Sequence, residues 1–368
     1  MTDAPMSTPM EAAFTTPGLV NAHHHLYSAL ARGMPGPPRT PVSFAEILEL
    51  VWWRLDRALD LESIRWSAML GALEALEAGT TAIVDHHESP DAIEGSLDVV
   101  AEACATVGVR AVCAYGVSDR HGPDGARRGL AENERFLRAG GRGMVGVHAA
   151  FTCSDETLDA AAGLARDLGV GVHVHVAEDG IDEAAGARLA PRSAGDWLLA
   201  HCVHLETDAG VRGTIAHNAS SNLNNAVGYA APARFANRVA LGTDGIGGGV
   251  VEEYRVAFLA LRAHDVTASP EMPWRWLEAG WDLVPEARAD RVTWGHAGLD
   301  RLGPGPDAPG PDGPGLDPWT VAYTPGIRPV DVEIDGELVL HGGRPTRVDP
   351  DEVRARAREE AERLWARL

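Results

Sequence analysis

Eight short apolar runs, separated by segments of helical periodicity, constrain this chain more than any other feature. The runs cover residues 18–22, 80–85, 109–115, 144–148, 170–176, 198–203, 213–217 and 239–244. Between them apolar positions recur at the spacing of one helix face, as over 64–78, 92–107 and 158–168. Apolar strands that alternate with helices belong to a parallel sheet covered on both sides. Eight such units predict an α/β fold, a (β/α)8 TIM-like barrel, with an open doubly wound sheet as the alternative. Reactive polar residues end nearly every run, at the carboxyl edge where such barrels carry their sites, and this favours the barrel.

The first run ends in His23-His24-His25. Alternate side chains of a strand share a face, so His23 and His25 point one way and His24 the other. Two imidazoles on one rigid face are half of a metal site; the plain alternative is three surface or tag-like histidines. Later runs supply matching groups. His173 and His175 share a face of the fifth run, with Glu178 just beyond its end. His201 and His204 close the sixth run, His217 and Asn218 the seventh, and Asp244 the eighth. Gly245, Gly247, Gly248 and Gly249 then let the backbone approach a ligand closely. Singly, each group has a dull explanation, such as a buried hydrogen-bonded histidine or a helix-capping aspartate. Together, in this order along a barrel, they point to one site.

A formal net charge of -21 over 368 residues argues against nucleic acid or anionic lipid as a partner, since both attract basic surfaces. The stretches free of Asp, Glu, Lys and Arg are broken up by histidine, asparagine, serine and threonine, so no membrane span is expected. Residues 1–16 lack the basic and apolar regions of a secretory signal, so none is expected either. Four scattered cysteines (Cys104, Cys113, Cys153 and Cys202) read as buried thiols of a reducing cytoplasm. All 32 basic residues are arginine, so Schiff-base, carbamylated and P-loop lysines are unavailable.

Beyond residue 265 the pattern changes. Trp274, Trp276, Trp281 and Trp294 punctuate a stretch without assignable periodicity, and 303–315 is a Pro/Gly/Asp connector. Residues 330–334 and 337–340 predict a hairpin across Asp335-Gly336, a type I′ pair. Residues 353–368 predict an amphipathic helix with Leu364 and Trp365 on its apolar face and a solvated, charged opposite face. The expected division is an N-terminal segment 1–16, a barrel 17–300, a connector 301–318, a remnant β-hairpin 319–348 and a C-terminal helix 349–368.

The carrying segments are PGLVNAHHHLYSALARGM (17–34), TTAIVDHHESP (80–90), HVHVAEDGID (173–182) and LLAHCVHL (198–205). They continue with AHNASSNLNNAVGYA (216–230) and LGTDGIGGGVVEEYRVAFLALR (241–262). This set resembles the amidohydrolase superfamily, in its branch of cyclic-amidine deaminases and chlorohydrolases, and most of all the SsnA-type aminohydrolases. The resemblance implies the metal-dependent hydrolase type of barrel with a reduced small β-domain. Relatives carry a longer run of strand before the first HxH, and most sandwich partners of the hairpin are missing here. The hairpin is therefore expected to pack on the barrel, pair with residues 1–16, or serve oligomer contacts.

The resemblance also implies one divalent metal ion, Zn²⁺ with Fe²⁺ as the alternative, held by His23, His25, His175 and Asp244 beside an open position for water. The absent lysine excludes a carbamate-bridged pair, and no glutamate is evident to bridge two metals. In the implied chemistry Asp244 takes the proton of a metal-activated water, and Glu178 relays a proton to the ring nitrogen of a cyclic amidine. His201 orients the attacking oxygen and stabilises its charge as ammonia leaves. His148, His87, His217, Arg32 and Tyr27 are the candidate substrate contacts. His86 lines the pocket or bonds a carbonyl, and His173 makes a structural hydrogen bond one layer deeper.

The expected enzyme is a cytoplasmic aminohydrolase of a small nitrogen heterocycle, with no nucleic-acid or membrane partner and a homodimer as its assembly. Two other readings keep the barrel: expulsion of chloride, alkylamine or an imine group from the same site, and a non-catalytic scaffold. The final strand runs into Ile246 and three glycines where many deaminases carry a Ser/Asn-rich turn, which leaves the substrate open.

Overall fold

A computed structural model describes residues 12–296 and 317–368. Its strands are β1 (Ala12–Pro17), β2 (Leu19–His24), β3 (Thr80–His87), β4 (Arg110–Tyr115), β5 (Val145–Ala149), β6 (Val172–Val176), β7 (Leu198–His201), β8 (Thr214–His217) and β9 (Val239–Leu241). They continue with β10 (Arg291–His296), β11 (Ile327–Ile334), β12 (Glu337–His341) and β13 (Arg344–Pro345).

Strands β2 to β9 follow the predicted apolar runs in order. Apart from β4, every residue in them is buried, as parallel strands with helices outside and packed side chains inside require. The parallel ladder runs in two blocks, β2-β3-β4 and β5-β6-β7-β8-β9. Isolated parallel bridges stitch the blocks together: Cys113 to Gly143 and Val117 to Val147 between β4 and β5, and His24 to Asp244 beyond β9. Neighbour order is therefore cyclic, with irregular pairing at two seams. The seam beside β2 is polar. The amides of Thr243 and Asp244 both donate to the His23 carbonyl at 3.0 Å, and Asn21 Nδ2 donates to Thr243 Oγ1 at 2.7 Å.

Small side chains fill one buried cluster of alternate strand positions, including Val20, Ala22, Ala82, Val84, Ala216 and Ala240. Val284 and Ala287 join it from the tryptophan-rich stretch. That stretch folds as helix Glu271–Glu278, the 3₁₀ turns Ala279–Asp282 and Pro285–Ala289, and β10. Trp281 Nε1 donates to the Gly18 carbonyl at 2.7 Å, which places the stretch at the amino end of β2.

Strand β10 leaves the barrel and completes an antiparallel sheet of order β1-β10-β11-β12-β13. The sheet draws on residues that the sequence pattern places in three separate segments. Hairpin β11–β12 turns at Asp335-Gly336, both at positive φ (54° and 78°), as a type I′ turn demands. Its inner edge pairs with β10, a strand that the periodicity did not predict. Trp294 of β10 is fully buried, and its Nε1 donates to Thr16 Oγ1 at 2.8 Å. Its ring lies over Gly79, just before β3, where an added Cβ would stand 2.3 Å from the ring.

The C-terminal helix Pro350–Trp365 packs Val353, Ala357, Ala361 and Leu364 inward, against helix Leu61–Glu77. Arg363 holds Asp60, the N-cap of that helix, at 2.7 and 2.9 Å. The connector 301–318 lies outside the described residues except at its end, where Asp317 caps helix Pro318–Tyr323.

Candidate metal centre and catalytic cleft

The ends of β2, β6, β7 and β9 converge. His23 Nε2 and His25 Nε2 approach Asp244 Oδ1 at 3.2 and 2.9 Å, and His175 Nε2 lies 3.2 Å from His25 Nε2. Donor atoms of His23, His175, His201 and Asp244 lie within 4.8 Å of one another. Each ring is held from behind through Nδ1. His23 meets His173 Nε2 at 2.8 Å, His25 the His86 carbonyl at 2.5 Å, His175 the His148 carbonyl at 2.7 Å, and His201 Asn222 Oδ1 at 2.8 Å. His24 turns away, with Nδ1 on the Asp244 carbonyl at 2.5 Å.

Carbonyl oxygens only accept, so Nδ1 of His25 and of His175 carries the proton, and in the neutral rings Nε2 presents a lone pair. Two lone pairs at 3.2 Å beside a carboxylate repel unless a proton or a cation sits among them. Burial holds His23 down to about 3 and keeps His175 well below the usual range. Burial also opposes charge on His25, but Asp244 and Glu88 outweigh it and raise His25 to about 9. For Asp244, burial is outweighed by the His25 charge and the imidazole contacts, which keep its carboxyl well below the ordinary range. His23 Nε2 is buried without an aligned hydrogen-bond partner. Three imidazoles, one of them with its Nε2 buried and unpartnered, and one carboxylate fit a divalent cation.

Backbone strain gathers at the same strand ends. Ala177, His201, Cys202 and Asp244 all have positive φ (44°, 71°, 53° and 53°). That region costs a non-glycine residue about 1–3 kcal/mol, and here it aims side chains at the mouth of the barrel. Glu178 Oε2 stands 3.6 Å from His201 Nε2, and its Oε1 accepts from Asn225 Nδ2 at 3.3 Å. Burial pushes Glu178 up to about 7, with His201 opposing and Asp244 adding to the shift. A carboxyl that keeps its proton near neutrality has the property a general acid needs.

The cleft above these groups encloses about 760 Å³, counting space open to solvent, and is walled by Tyr27, Phe44, Trp52, Trp53 and Phe151. Of the predicted substrate contacts, Tyr27 and His148 line it. Arg32, His87 and His217 do not. Arg32 is largely exposed and pairs with Glu74. His87 is buried with Nε2 on Ser89 Oγ at 2.9 Å, because strand alternation turns it away from the neighbouring His86. His217 packs against Trp276 at 5.7 Å between ring centres. His86 bonds the Val147 carbonyl at 3.1 Å, and His173 makes the deeper contact to His23 given above.

The family profile of the amidohydrolases matches residues 14–279. The chain belongs to the amidohydrolase family. It is 30% identical to 5'-deoxyadenosine deaminase of Methanopyrus kandleri, across 95% of this chain and 86% of that protein. It is 32% identical to 5-methylthioadenosine/S-adenosylhomocysteine deaminase of Symbiobacterium thermophilum, again across 95% and 86%. Among solved structures, an adenosine deaminase from Xanthomonas campestris with bound zinc has a TM-score of 0.77 at 21% identity, covering 96% of this chain and 86% of that one. Atrazine chlorohydrolase from Arthrobacter aurescens, complexed with zinc, has a TM-score of 0.77 at 22% identity, covering 95% and 89%. The structural likenesses establish the shared fold. This amidohydrolase is a hydrolase of carbon–nitrogen bonds other than peptide bonds, and its chemistry is metal-dependent hydrolytic deamination.

Several groups at the amidohydrolase cleft escape a reading of strand ends. Glu88 directly follows His87 and lies 3.6 Å from His148 Nε2, and with His148 and His175 it makes a further set of metal-type donors. The position of a carboxylate after a strand-end His-His pair was the available signal. Its Oε2 is engaged by Arg120 at 2.8 Å, and Arg120 also binds Asp56 at 2.8 Å and lies 4.4 Å over the Trp53 ring. Ser221, Asn222 and Asn225 come from a short Ser/Asn stretch whose composition reads as a turn. Trp52 and Trp53 belong to an apolar segment, and nothing in its spacing says that it folds over the barrel mouth.

Proposed function

We propose that this amidohydrolase deaminates a purine nucleoside of the 5'-deoxyadenosine type, using one divalent cation held by His23, His25, His175 and Asp244, zinc in preference to iron. The observation that carries this reading is the convergence of three imidazole nitrogens on the Asp244 carboxylate, each ring fixed through its other nitrogen. The substrate class is supported by two relatives named for adenosine derivatives, whose likeness spans 95% of the chain. Five aromatic side chains around the cleft offer planar apolar faces that suit a purine ring. Zinc is supported by the nitrogen-rich donor set and by its presence in two solved neighbours.

A divalent cation held by these residues would supply a water acidified to a pKa of about 7. Asp244, held ionised in its ring of imidazoles, takes a proton from the attacking water. Glu178 delivers a proton to the ring nitrogen beside the amine-bearing carbon, which becomes tetrahedral as oxygen adds to it. His201, its Nδ1 tied to Asn222, turns Nε2 toward that oxygen and stabilises its charge. Asp244 then passes the proton it took to the amino group, which leaves as ammonia, while the added oxygen gives its remaining proton to Glu178, so that a carbonyl forms and both carboxyls are restored. The proposed setting is a reducing cytoplasm, in keeping with four free, buried cysteines, and the proposed assembly is a homodimer, which light scattering tests.

Ammonia release from 5'-deoxyadenosine, 5'-methylthioadenosine, S-adenosylhomocysteine and adenosine, set beside chloride release from a chlorinated triazine, with elemental analysis of the same sample, tests the reading. Release from the adenosine derivatives is expected, with one divalent ion per chain and loss of both in Asp244→Ala. Turnover of the triazine alone, or equal turnover in Asp244→Ala, overturns it.

A further inference from the structure

Three groups assigned to proton and charge handling are held by one short helix, Ala219–Asn224, and its C-cap Asn225. Ser221 Oγ donates to Asp244 Oδ2, Asn222 Oδ1 accepts from His201 Nδ1 at 2.8 Å, and Asn225 Nδ2 donates to Glu178 Oε1 at 3.3 Å. Asn225 Nδ2 also reaches Ser221 Oγ at 3.3 Å, so hydrogen bonds run unbroken from Glu178 to Asp244. The side chains of Glu178, His201 and Asp244 therefore share one support, this single turn. A helix of six residues does not sustain itself, because nucleation outweighs so few backbone bonds.

Glu253 supplies the restraint from outside. It lies in helix Val250–His264, beyond the glycine-rich turn after β9, and is buried. Its Oε1 accepts from the Ser220 backbone N–H at 3.0 Å, a first-turn donor with no partner inside its own helix. Glu253 is absent from the walls of the cleft. A buried carboxyl costs free energy that an apolar residue would not, and the anchoring of this turn is what offsets it.

We infer that Glu253 is a positioning residue, which through helix Ala219–Asn224 sets Asp244, His201 and Glu178 in register for the reaction. The consequence for turnover rests on the deaminase reading, whereas the consequence for the metal centre does not. The test compares Glu253→Ala, Glu253→Asp and Glu253→Gln by chelator competition for Zn²⁺, by kcat and KM, and by thermal melting. Loss of outer support around a metal ligand typically costs 10- to 100-fold, so Glu253→Ala is expected to lose zinc affinity and kcat by roughly that factor while KM changes little. Glu253→Gln keeps an oxygen that accepts from Ser220 N and is expected to restore most of both. Glu253→Asp withdraws the carboxyl by one methylene and shows the same pattern at smaller size; it decides the matter if Glu253→Ala does not fold. A purely structural Glu253 would lower the melting temperature and leave zinc affinity and kcat of the folded protein unchanged, and that result in Glu253→Ala or Glu253→Asp overturns the inference. Equal losses in Glu253→Gln and Glu253→Ala overturn it as well. If the wild type releases no ammonia from any substrate, the deaminase reading falls, and the zinc titration, which uses no substrate, still decides the role of Glu253.

Discussion

Glu178 shows how a single environment assigns a chemical role. Burial holds its proton up to about 7, so the protonated donor predominates below that pH and is lost above it. If Glu178 protonates the ring nitrogen, kcat/KM falls as pH rises through about 7, and a pH–rate profile shows that alkaline limb. Glu178→Gln, which cannot exchange a proton, is expected to lower kcat by ~10²–10⁴-fold and to lose the limb. Elemental analysis of that variant should still find its metal. At this scale strand alternation and strand-end position bring out His23, His25, His173, His175 and Asp244 as candidates, and the choice of His23, His25, His175 and Asp244 as a ligand set came from the resemblance to a family. His87 and His217 carry the same strand-end signal, Arg32 lies in the loop after the first strand, and all three are outside the cleft. Proximity to a strand end does not say which neighbour will take the side chain first, and Glu74, Ser89 and Trp276 do so here.

The elements differ in how much of their placement is local. Hairpin β11–β12 is readable because its turn chemistry lies in two adjacent residues. Strand β10 is not, since its Trp294 bonds Thr16 across 278 positions, and nothing near residue 294 announces that partner. The joint between this sheet and the barrel is tight at Gly79, whose φ is +83° and whose missing Cβ leaves room for the Trp294 ring. Gly79→Ala forces both a strained backbone and an overlap with the ring, and is expected to destabilise the protein by about 1–3 kcal/mol. Denaturant unfolding measures that loss. The metal centre is not touched, so zinc content of the folded variant should equal that of the wild type. A wild-type unfolding midpoint would mean that the sheet and barrel are not keyed together at this point.

Across the whole molecule, the centre gathers like-natured groups that favour one another only around positive charge. His23 and His173 meet across 150 positions, and Asp244 joins them from the last barrel strand. Removing the cation therefore strains the contacts that close the barrel at its polar seam. The chelated protein is expected to melt at lower temperature and to regain stability as zinc is restored, by about 2.7 kcal/mol when free metal is 100-fold above its Kd. Calorimetry over a zinc titration follows this, and a melting temperature indifferent to zinc would argue against the ligand set. The sequence by itself determined the alternation of strands and helices, the stock of imidazoles and carboxylates at strand ends, the type I′ turn and the absence of lysine chemistry. Those properties are periodicities and inventories, written within a few adjacent residues. Only the tertiary structure decided which histidine nitrogens gather at Asp244, that a six-residue helix and its cap bond Asp244, His201 and Glu178, that aromatic side chains wall the cleft, and that β1 and β10 complete the small sheet. Each of these depends on contacts between residues far apart in the chain, whose distances are set by how the barrel closes and not by spacing along it.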